Sequence, residues 1–525
     1  MKHVFRRKQL VALVAAGLLA FTMAACGGGS SDSSPGSKSD AVDTDTTLRV
    51  SLPVSASLDP TQIRIASYGM IALWPVYDRL IQVMPDNSYG AMLATDWSFS
   101  GDGLTLTMKL REGVTFSDGE PFNAEAAKTS LEYFKNSDSV SSSGPLANIK
   151  AIKAVSATEL EIDLAEPSTS VLGGLATPTS GAMISPKAIH GGDLATNPVG
   201  TGAYVVKNFR PSVSVTYERR SGQNWDEKAG QVAKVVITTF TSDEARTNAI
   251  RSGQSDITTY SASDKPALNA DITSGKLNLD QSTGFLMYTL FLNTAKAPFN
   301  DVKVRQAVNY ALDRPNLTGV IDETASTRVQ AYPKGLPGFD DSLESTFTFD
   351  PGKAKELLAE AGYPDGIDLG QVLVGNSGGF PGLAEAMQGS LKEQGIDVEI
   401  KTVDTAQINS EWSKGTYSGM LMYQSPPDLE PVNYFVRNYT NPYWWQGPLP
   451  DGFEPLLKGI GDPREADQQD ALIGAANKFA TENAMFAPIL QKKTGYVAAP
   501  NVQNFQSASF AQFGGADFRY VSLTK

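Results

Sequence analysis

The chain has 525 residues, 41% hydrophobic and 19% charged, a composition typical of a soluble globular protein that is too long for a single ordinary domain. Its formal net charge is −13, or −13 − 4 = −17 without the four basic residues at its start, so it lacks the positive surface that nucleic-acid binding requires. One cysteine, Cys26, and two histidines, His3 and His190, exclude an internal disulfide and leave too few of the usual ligands for a zinc site.

Residues 1–25 predict a secretory signal peptide. A basic head that includes Arg6 and Arg7 is followed by an apolar run from Leu10 to Ala25. The run is shorter than the about 20 apolar residues that a transmembrane helix needs. Both the general secretory route and a twin-arginine exporter remain open, because the Arg6–Arg7 pair fits the second only in part.

Cys26 follows small residues in the stretch "MAAC", which resembles a bacterial lipobox. The resemblance implies that diacylglycerol is attached to Cys26, that the chain is cleaved before it and that the new amino terminus is acylated. Several acyl chains together hold a protein firmly at a membrane. We therefore expect a lipoprotein on the outer face of the cell membrane; the alternative is a plain secretory signal with an incidental cysteine.

Residues 26–45 predict a flexible, lipidated tether, because Gly, Ser, Asp and Thr dominate and almost no large apolar residue is present. Alternation of apolar and polar residues then predicts strands in "TLRVSLPV", "LTLTMKL", "ELEIDL" and "VSVTYERR". The side chains expected on one face of each of the last three are Leu104, Leu106, Met108 and Leu110; Leu160, Ile162 and Leu164; and Val213, Val215 and Tyr217.

Helices are predicted between these strands and after them. Asn123, Asp301 and Asp350 are candidate N-caps of "AEAAKTSLEYF", "VKVRQAVNYALDR" and "PGKAKELLAEAG". A further helix in "LAEAMQGSLKEQG" is expected to end at Gly395, before a strand that carries Ile396, Val398 and Ile400. This order of helix, glycine and strand predicts an α/β second half.

Several stretches in order resemble the family 5 extracytoplasmic solute-binding proteins, the dipeptide, oligopeptide and nickel group that serves ABC importers. The stretches are "SLDP", "VYDRL", "LATDWSFSGDGLTLTMKLREGVTFSDGEPFNAEAAKTSLEYF", "NPVGTGAYVV", "NDVKVRQAVNYALDR", "FDPGKAKELLAEAGYPDG" and "LKEQGIDVEIKTVD". They span roughly residues 48–506. Most of these signature residues are expected to be scaffold, not ligand contacts.

The resemblance implies an α/β, two-lobed periplasmic-binding-protein-like fold of type II, with the ligand cleft between the lobes. Lobe I is predicted as residues 46–283 plus 491–525, with an inserted subdomain at about 76–195, and lobe II as residues 284–490. The stretches "FLMYTLFLNT" and "MFAPILQKK" are predicted to cross between the lobes, which would close around ligand by hinge motion.

Candidate ligand contacts follow from the same resemblance. Peptide-binding members place a Trp, and an Asp that binds the peptide amino terminus, shortly before an acidic-Pro pair. Here Tyr423 replaces the Trp, Pro427 stands in place of the Asp, and Glu430–Pro431 is the pair. Tyr423, Gln424, Ser425 and Asp428 are therefore candidates, Asp428 in a shifted register; alternatively it only caps a turn.

Aromatic residues are the other candidates, because they suit a cleft that buries varied side chains or sugar rings. Tyr439, Trp444 and Trp445 belong to an aromatic-rich stretch of lobe II, and Tyr68 is the candidate from lobe I. The alternative for each is lobe core or an ordinary loop.

The function expected from these patterns is transport without chemistry. We expect a monomer that captures a solute, with peptide as the first expectation and a carbohydrate or blocked peptide as the alternative, and that delivers it to ABC permease subunits. A sensor or chaperone lipoprotein would keep the same fold. No catalytic residue, metal ligand or cofactor is predicted. The G-x-S-x-G pattern around Ser377 is typical of a serine hydrolase, but both histidines precede that serine.

Overall fold

The computed structural model describes residues 43–63, 68–84, 86, 88–139, 143–425, 428–505, 507–508 and 515–525. These residues belong to one compact unit. The predicted signal peptide, Cys26, the tether up to residue 42 and Pro427 lie outside the described residues. We keep the names lobe I and lobe II for the ranges predicted from the sequence, whose boundaries remain a prediction.

The elements of lobe I are mainly strands. They are β1 (Thr47–Ser51), β2 (Ile81–Val83), β3 (Tyr89–Ala91), β4 (Ala94–Phe99), β5 (Thr105–Leu110), α1 (Ala124–Lys135), β6 (Ile149–Ser156), β7 (Glu159–Leu164), α2 (Ser170–Ala176), α3 (Pro178–Gly181), α4 (Pro186–Gly191), β8 (Tyr204–Arg210), β9 (Ser214–Arg219), β10 (Lys234–Thr238), α5 (Asp243–Arg251), β11 (Ile257–Tyr260) and α6 (Lys265–Thr273).

The chain continues through lobe II and returns at its end. The elements are β12 (Asn278–Leu292), α7 (Val302–Ala311), α8 (Arg314–Ile321), β13 (Ser326–Thr327), α9 (Pro351–Glu360), β14 (Ile367–Gly375), α10 (Phe380–Lys392), β15 (Ile396–Val403), α11 (Ile408–Trp412), β16 (Gly419–Gln424), α12 (Pro431–Phe435), a π-helical turn (Val436–Thr440), α13 (Phe453–Leu457), α14 (Gln469–Glu482), β17 (Ala487–Ala498), β18 (Val502–Gln503), β19 (Ser507–Ala508), β20 (Gly515–Ala516) and β21 (Ser522–Leu523).

One mixed sheet runs through the described chain in the order β15-β14-β16-β12-β17-β11-β1-β10-β9-β8, with β13 on β17. Strand β14 pairs in parallel with β15 and β16, and β1 pairs in parallel with β10 and β11. Strands β12 and β17 join these two parallel blocks as an antiparallel pair. A second sheet, in the order β4-β5-β7-β6, packs near α1 within the predicted subdomain.

The predicted crossing stretches form β12 and β17. The first part of β12 pairs with residues of β17 that also pair with β11, whereas its last part pairs with β16. The ladder between the two strands shifts register between Thr283 and Met287. A second shift lies between Tyr288 and Thr289. Such irregularities bend a strand and disrupt its pairing locally.

The predicted strand patterns are confirmed, with two exceptions. Leu106, Met108 and Leu110 of β5 and Leu160, Ile162 and Leu164 of β7 are buried, as are Val215 and Tyr217 of β9. Leu104 and Val213, which were expected on the same faces, are 37% and 41% exposed. Each lies one residue before its strand begins, where the pleat does not yet direct the side chain inward.

The predicted helix caps are confirmed as well. Asn123 accepts a hydrogen bond from the backbone N–H of Ala126 at 3.0 Å, and Asp301 and Asp350 cap α7 and α9 in the same way. Gly395 has a φ of 78°, a left-handed conformation that favours glycine and ends the turn between α10 and β15.

Separate hydrophobic cores lie on the two sides of the β12–β17 pair. One core draws on residues from Leu48 to Ile257 and from Tyr496 to Leu523. Two others draw on residues from Phe285 to Leu490. Because each core packs largely with itself, relative motion of the two sides disturbs mainly the contacts between them.

Candidate functional site

Lobe I and lobe II touch where α2 meets the chain that follows β16. The Thr169 hydroxyl donates to Glu430 Oε2 at 2.5 Å, and Asn433 Nδ2 donates to the Ser170 carbonyl oxygen at 3.0 Å. The backbone N–H of Thr169 donates to the carbonyl oxygen of Gly461 at 2.6 Å. We call this set, together with Gly173 and Asp428, the α2 contact.

Asp428, a predicted ligand residue, lies inside the α2 contact. Its Oδ1 accepts from the backbone N–H of Glu430 at 2.9 Å, and its Oδ2 accepts from Asn433 Nδ2 at 2.9 Å. A Cβ placed on Gly173 would lie 2.3 Å from Asp428 Cγ, so the contact requires glycine at that position. Both carboxylate oxygens of Asp428 are thus held by protein donors, in agreement with the alternative that it caps a turn.

The carboxyl groups of Asp428 and Glu430 are hard to ionise in this contact. Burial raises the pKa of Asp428 to about 7, although hydrogen bonds from Glu430 and Asn433 oppose the shift. Burial, with the charge of Asp428 as a further cause, raises the pKa of Glu430 to about 8, and its side chain is only 6% exposed. The contact is therefore most stable when at least one of the two carboxyl groups is protonated.

Tyr423 lies in an aromatic group at the end of β16. Its hydroxyl is 3.2 Å from the hydroxyl of Tyr288 and 3.3 Å from the carbonyl oxygen of Gly378, and its ring is 4.6 Å from that of Phe380. The side chain is partly buried. Tyr423 therefore offers an aromatic face and a hydroxyl next to the start of α10.

Gln424 and Ser425 have different surroundings although they are neighbours. Gln424 is fully buried; its Oε1 accepts from Thr289, and its Nε2 donates to Tyr434 and Asn438, so its amide is occupied within the protein. The carbonyl oxygen of Ser425 accepts from Nη1 of Arg437 at 3.1 Å.

The predicted aromatic residues divide into two groups. Tyr439 and Trp445 are 2% and 4% exposed and pack against Phe486 in the core, which favours the core alternative for both. Trp444 is partly buried, and the guanidinium of Arg437 lies over its ring at 4.5 Å from the ring centre. The side chain of Tyr68 lies outside the described residues.

Tyr423, Ser425 and Asp428 lie in or just after the end of β16 but contact different neighbours, and Arg437 links Ser425 to Trp444. Sequence reasoning missed Thr169, Gly173 and Asn433. The Thr169–Glu430 bond joins residues 261 positions apart, so no local pattern marks it. The only signal for Asn433 and Arg437 was their place after Glu430–Pro431, about one turn and two turns along the chain.

Ser377 and His190 are the residues that a serine-hydrolase site would use. The Ser377 hydroxyl lies 2.8 Å from the Thr405 hydroxyl, while His190 lines a surface pocket with Thr61 and Tyr133. Among the described residues, no group of three or more His, Cys, Asp and Glu is arranged to hold a metal ion. No helix in the described part of the chain has the length and apolar character of a membrane span.

The sequence of the chain matches a known family of proteins. The profile of the bacterial extracellular solute-binding proteins, family 5 Middle, matches residues 89–446, which is more than half of the chain. The glutathione-binding protein GsiB of Salmonella typhi is 29% identical over 338 residues, covering 64% of this chain and 65% of that protein. The chain therefore aligns with slightly less than two thirds of that relative.

Solved structures share the fold. HbpA2 from Haemophilus parasuis superimposes with a TM-score of 0.79 at 23% identity, covering 91% of this chain and all of that one. DppA from Helicobacter pylori, solved with the peptide STSA, gives a TM-score of 0.75 at 24% identity, covering 92% of this chain and 99% of that one. The predicted α/β fold of the type II periplasmic-binding-protein class is confirmed.

Proposed function

The chain belongs to the bacterial extracellular solute-binding proteins of family 5, and from that premise we propose that it is a lipid-anchored receptor for a short peptide. It captures the peptide between lobes I and II and delivers it to the permease subunits of an ABC transporter. The family acts outside the cytoplasm as binding proteins of ABC transporters. The peptide, the anchor at Cys26, the monomeric state and the handover are the proposed parts.

The observation that carries the capture mechanism is the α2 contact. Thr169 and Ser170 on one side bind Glu430 and Asn433 on the other, and these polar bonds form only when the two lobes are together. The polar bonds of the α2 contact, the ion pair between Lys265 and Glu323, and the two strands that cross between the lobes together suit a hinged clamp. Lobe boundaries at residues 283–284 and 490–491 fit the register shift in β12.

The names of similar proteins support a peptide. GsiB is named for glutathione, which is a tripeptide, and the DppA structure contains a four-residue peptide. Both carboxylate oxygens of Asp428 already accept hydrogen bonds from Glu430 and Asn433, so they are not free to accept one from a peptide amino terminus. We therefore propose that the amino terminus of the ligand is not bound by this carboxylate and that a blocked peptide fits as well as a free one.

Isothermal titration calorimetry tests this function. The purified protein is titrated with glutathione, with unmodified di- and tripeptides, with the N-acetylated forms of the same peptides and with maltotriose. We expect saturable binding of peptides and equal affinity for free and acetylated forms. Binding of the sugar alone would contradict the peptide proposal, and strong rejection of the acetylated forms would contradict the proposed role of Asp428.

The anchor is tested separately through Cys26. We expect the wild-type protein to incorporate a labelled fatty acid and to sediment with membranes, and the Cys26→Ala variant to do neither. A Ser31→Ala variant in the same tether is the matched control and is expected to behave like the wild type. A labelled, membrane-bound Cys26→Ala protein would refute the anchor.

A further inference from the structure

Arg437 is a partly buried cation with few polar contacts to the residues that the structure describes. Among the described residues its guanidinium makes one hydrogen bond, from Nη1 to the carbonyl oxygen of Ser425 at 3.1 Å, and no ion pair. Burial lowers its pKa to about 10, so the group is still charged at neutral pH. Tyr443, and after it Asp428, oppose this lowering of the pKa electrostatically, but the oxygens of Asp428 accept hydrogen bonds from Glu430 and Asn433.

Two other buried arginines, Arg314 and Arg519, make several contacts with oxygen atoms, whereas Nε and Nη1 of the buried Arg79 have no hydrogen-bond partner among the described residues. Arg314 donates to the carbonyl oxygens of Arg328, Pro488 and Asn309 and to the side chain of Asn309. Arg519 forms ion pairs with Asp78 and Asp517. A partly desolvated cation is costly unless acceptors or an anion surround it. Arg437, with one acceptor, therefore differs from Arg314 and Arg519.

The ring of Trp444 lies against the guanidinium of Arg437. The guanidinium carbon lies 4.5 Å from the centre of the indole ring, and Trp444 in turn packs on Phe291 with ring centres 5.5 Å apart. Nη1 is directed at Ser425, which leaves the edge formed by Nε and Nη2 without a partner in the described chain. That edge of an arginine binds a carboxylate through two parallel hydrogen bonds.

Arg437 lies close to the α2 contact, where lobe I and lobe II meet. Ser425 is the first residue after β16, and three residues later Asp428 lies against Gly173 of α2. Arg437 therefore stands on the lobe II side of the α2 contact, beside the chain that lobe I covers.

We infer that Arg437, supported by Trp444, binds a carboxylate of the captured peptide. This inference rests on the proposed peptide function and adds the ligand chemistry that the cleft selects. The carboxylate is either the C-terminus of the peptide or an acidic side chain. The negative charge of the ligand then balances a cation that the described residues leave unbalanced.

A peptide digest with and without its carboxylates provides the test. Purified protein is incubated with a casein digest, or with the same digest after methyl esterification of all carboxyl groups, and bound peptides are measured by native mass spectrometry. We expect the esterified digest to occupy the wild-type protein about tenfold less or weaker still. Arg437→Gln should lose the preference for the untreated digest, and Arg437→Lys should keep part of it, because lysine retains the charge without the fork.

Controls separate the possible outcomes. Lys478→Gln removes one exposed positive charge from α14 and is expected to behave like the wild type. If the wild type binds both digests equally, the assignment of Arg437 is wrong while the peptide function stands. If neither digest binds, the peptide function is wrong and the carboxylate assignment falls with it. Enrichment of Asp or Glu at one position in the bound peptides identifies a side-chain carboxylate; its absence identifies the C-terminus.

Discussion

Replacing Gly173 by alanine should weaken ligand binding without weakening the fold. The new Cβ would lie 2.3 Å from Asp428 Cγ and 2.5 and 2.6 Å from its carboxylate oxygens, distances that no real contact allows. Asp428 would have to move away and release its 2.9 Å bonds with the Glu430 N–H and with Asn433 Nδ2. Lobe I and lobe II would then close on a poorer contact.

The magnitude follows from the two bonds that are lost. Each contributes about 0.5–1.5 kcal/mol net, so closure becomes less favourable by about 1–3 kcal/mol. Since about 1.4 kcal/mol is tenfold in affinity, the dissociation constant should rise between about fivefold and about 150-fold. The free energy of unfolding should not fall, because alanine is favoured over glycine within a helix by about 0.5–1 kcal/mol.

Gly389→Ala is the matched control. Gly389 also lies within a helix, α10, but a Cβ there would meet no atom within 4 Å. Calorimetric titration with the solute that co-purifies with the protein, together with thermal denaturation, compares the two variants. We expect both to melt no lower than the wild type and only Gly173→Ala to bind more weakly. Unchanged affinity in Gly173→Ala would refute the view that ligand capture depends on the α2 contact.

Further predictions concern pH and local stability. The pKa of Asp428 rises from 3.8 to about 7 and that of Glu430 from 4.5 to about 8 in the contact, so the protonated forms favour closure. Affinity should therefore be greatest below the ordinary pKa values of 3.8 and 4.5, and it should fall as the pH rises through about 7 and 8. A calorimetric pH series measures this decline. If Glu430→Gln showed the same decline as the wild type, the reasoning would be contradicted. Asn123→Ala removes the cap of α1 and should lower the free energy of unfolding by about 0.5–2 kcal/mol in denaturant titrations, whereas no change would show that the cap is redundant. Ile162→Ala, in a fully buried position of β7, should cost about 2–5 kcal/mol by the same assay, and a loss below about 1 kcal/mol would show that the subdomain repacks around the cavity.

Local elements could be predicted from the sequence because local physics specifies them. Asn123, Asp301 and Asp350 are side chains that bond the first free N–H groups of a helix, and Gly395 suits a left-handed turn. The predicted alternation of buried and exposed side chains was correct for the residues inside β5, β7 and β9. It was wrong at Leu104, and likewise at Val213, since both lie just outside the ladder that fixes side-chain direction.

The candidate site could be predicted only in part. Family resemblance directed attention to the end of β16, but an aromatic residue in a sequence does not reveal whether it faces a cleft or a core, and Tyr439 and Trp445 are in the core. The α2 contact joins distant parts of the chain, so Gly173 gave no signal of its own. Arg437 could not be recognised from the sequence, because only the structure shows that it makes one hydrogen bond and no ion pair among the described residues.

The central claim, that this protein is a peptide receptor, is tested most directly by native mass spectrometry of the protein purified from Gly27 onward, which retains the whole compact unit from residue 41 to 525. Spectra under gentle and denaturing conditions are compared for a ligand that co-purifies. The account predicts extra masses that disappear on denaturation and fragment as peptides. A single discrete mass that does not fragment as a peptide would contradict the account and would name the true class of solute.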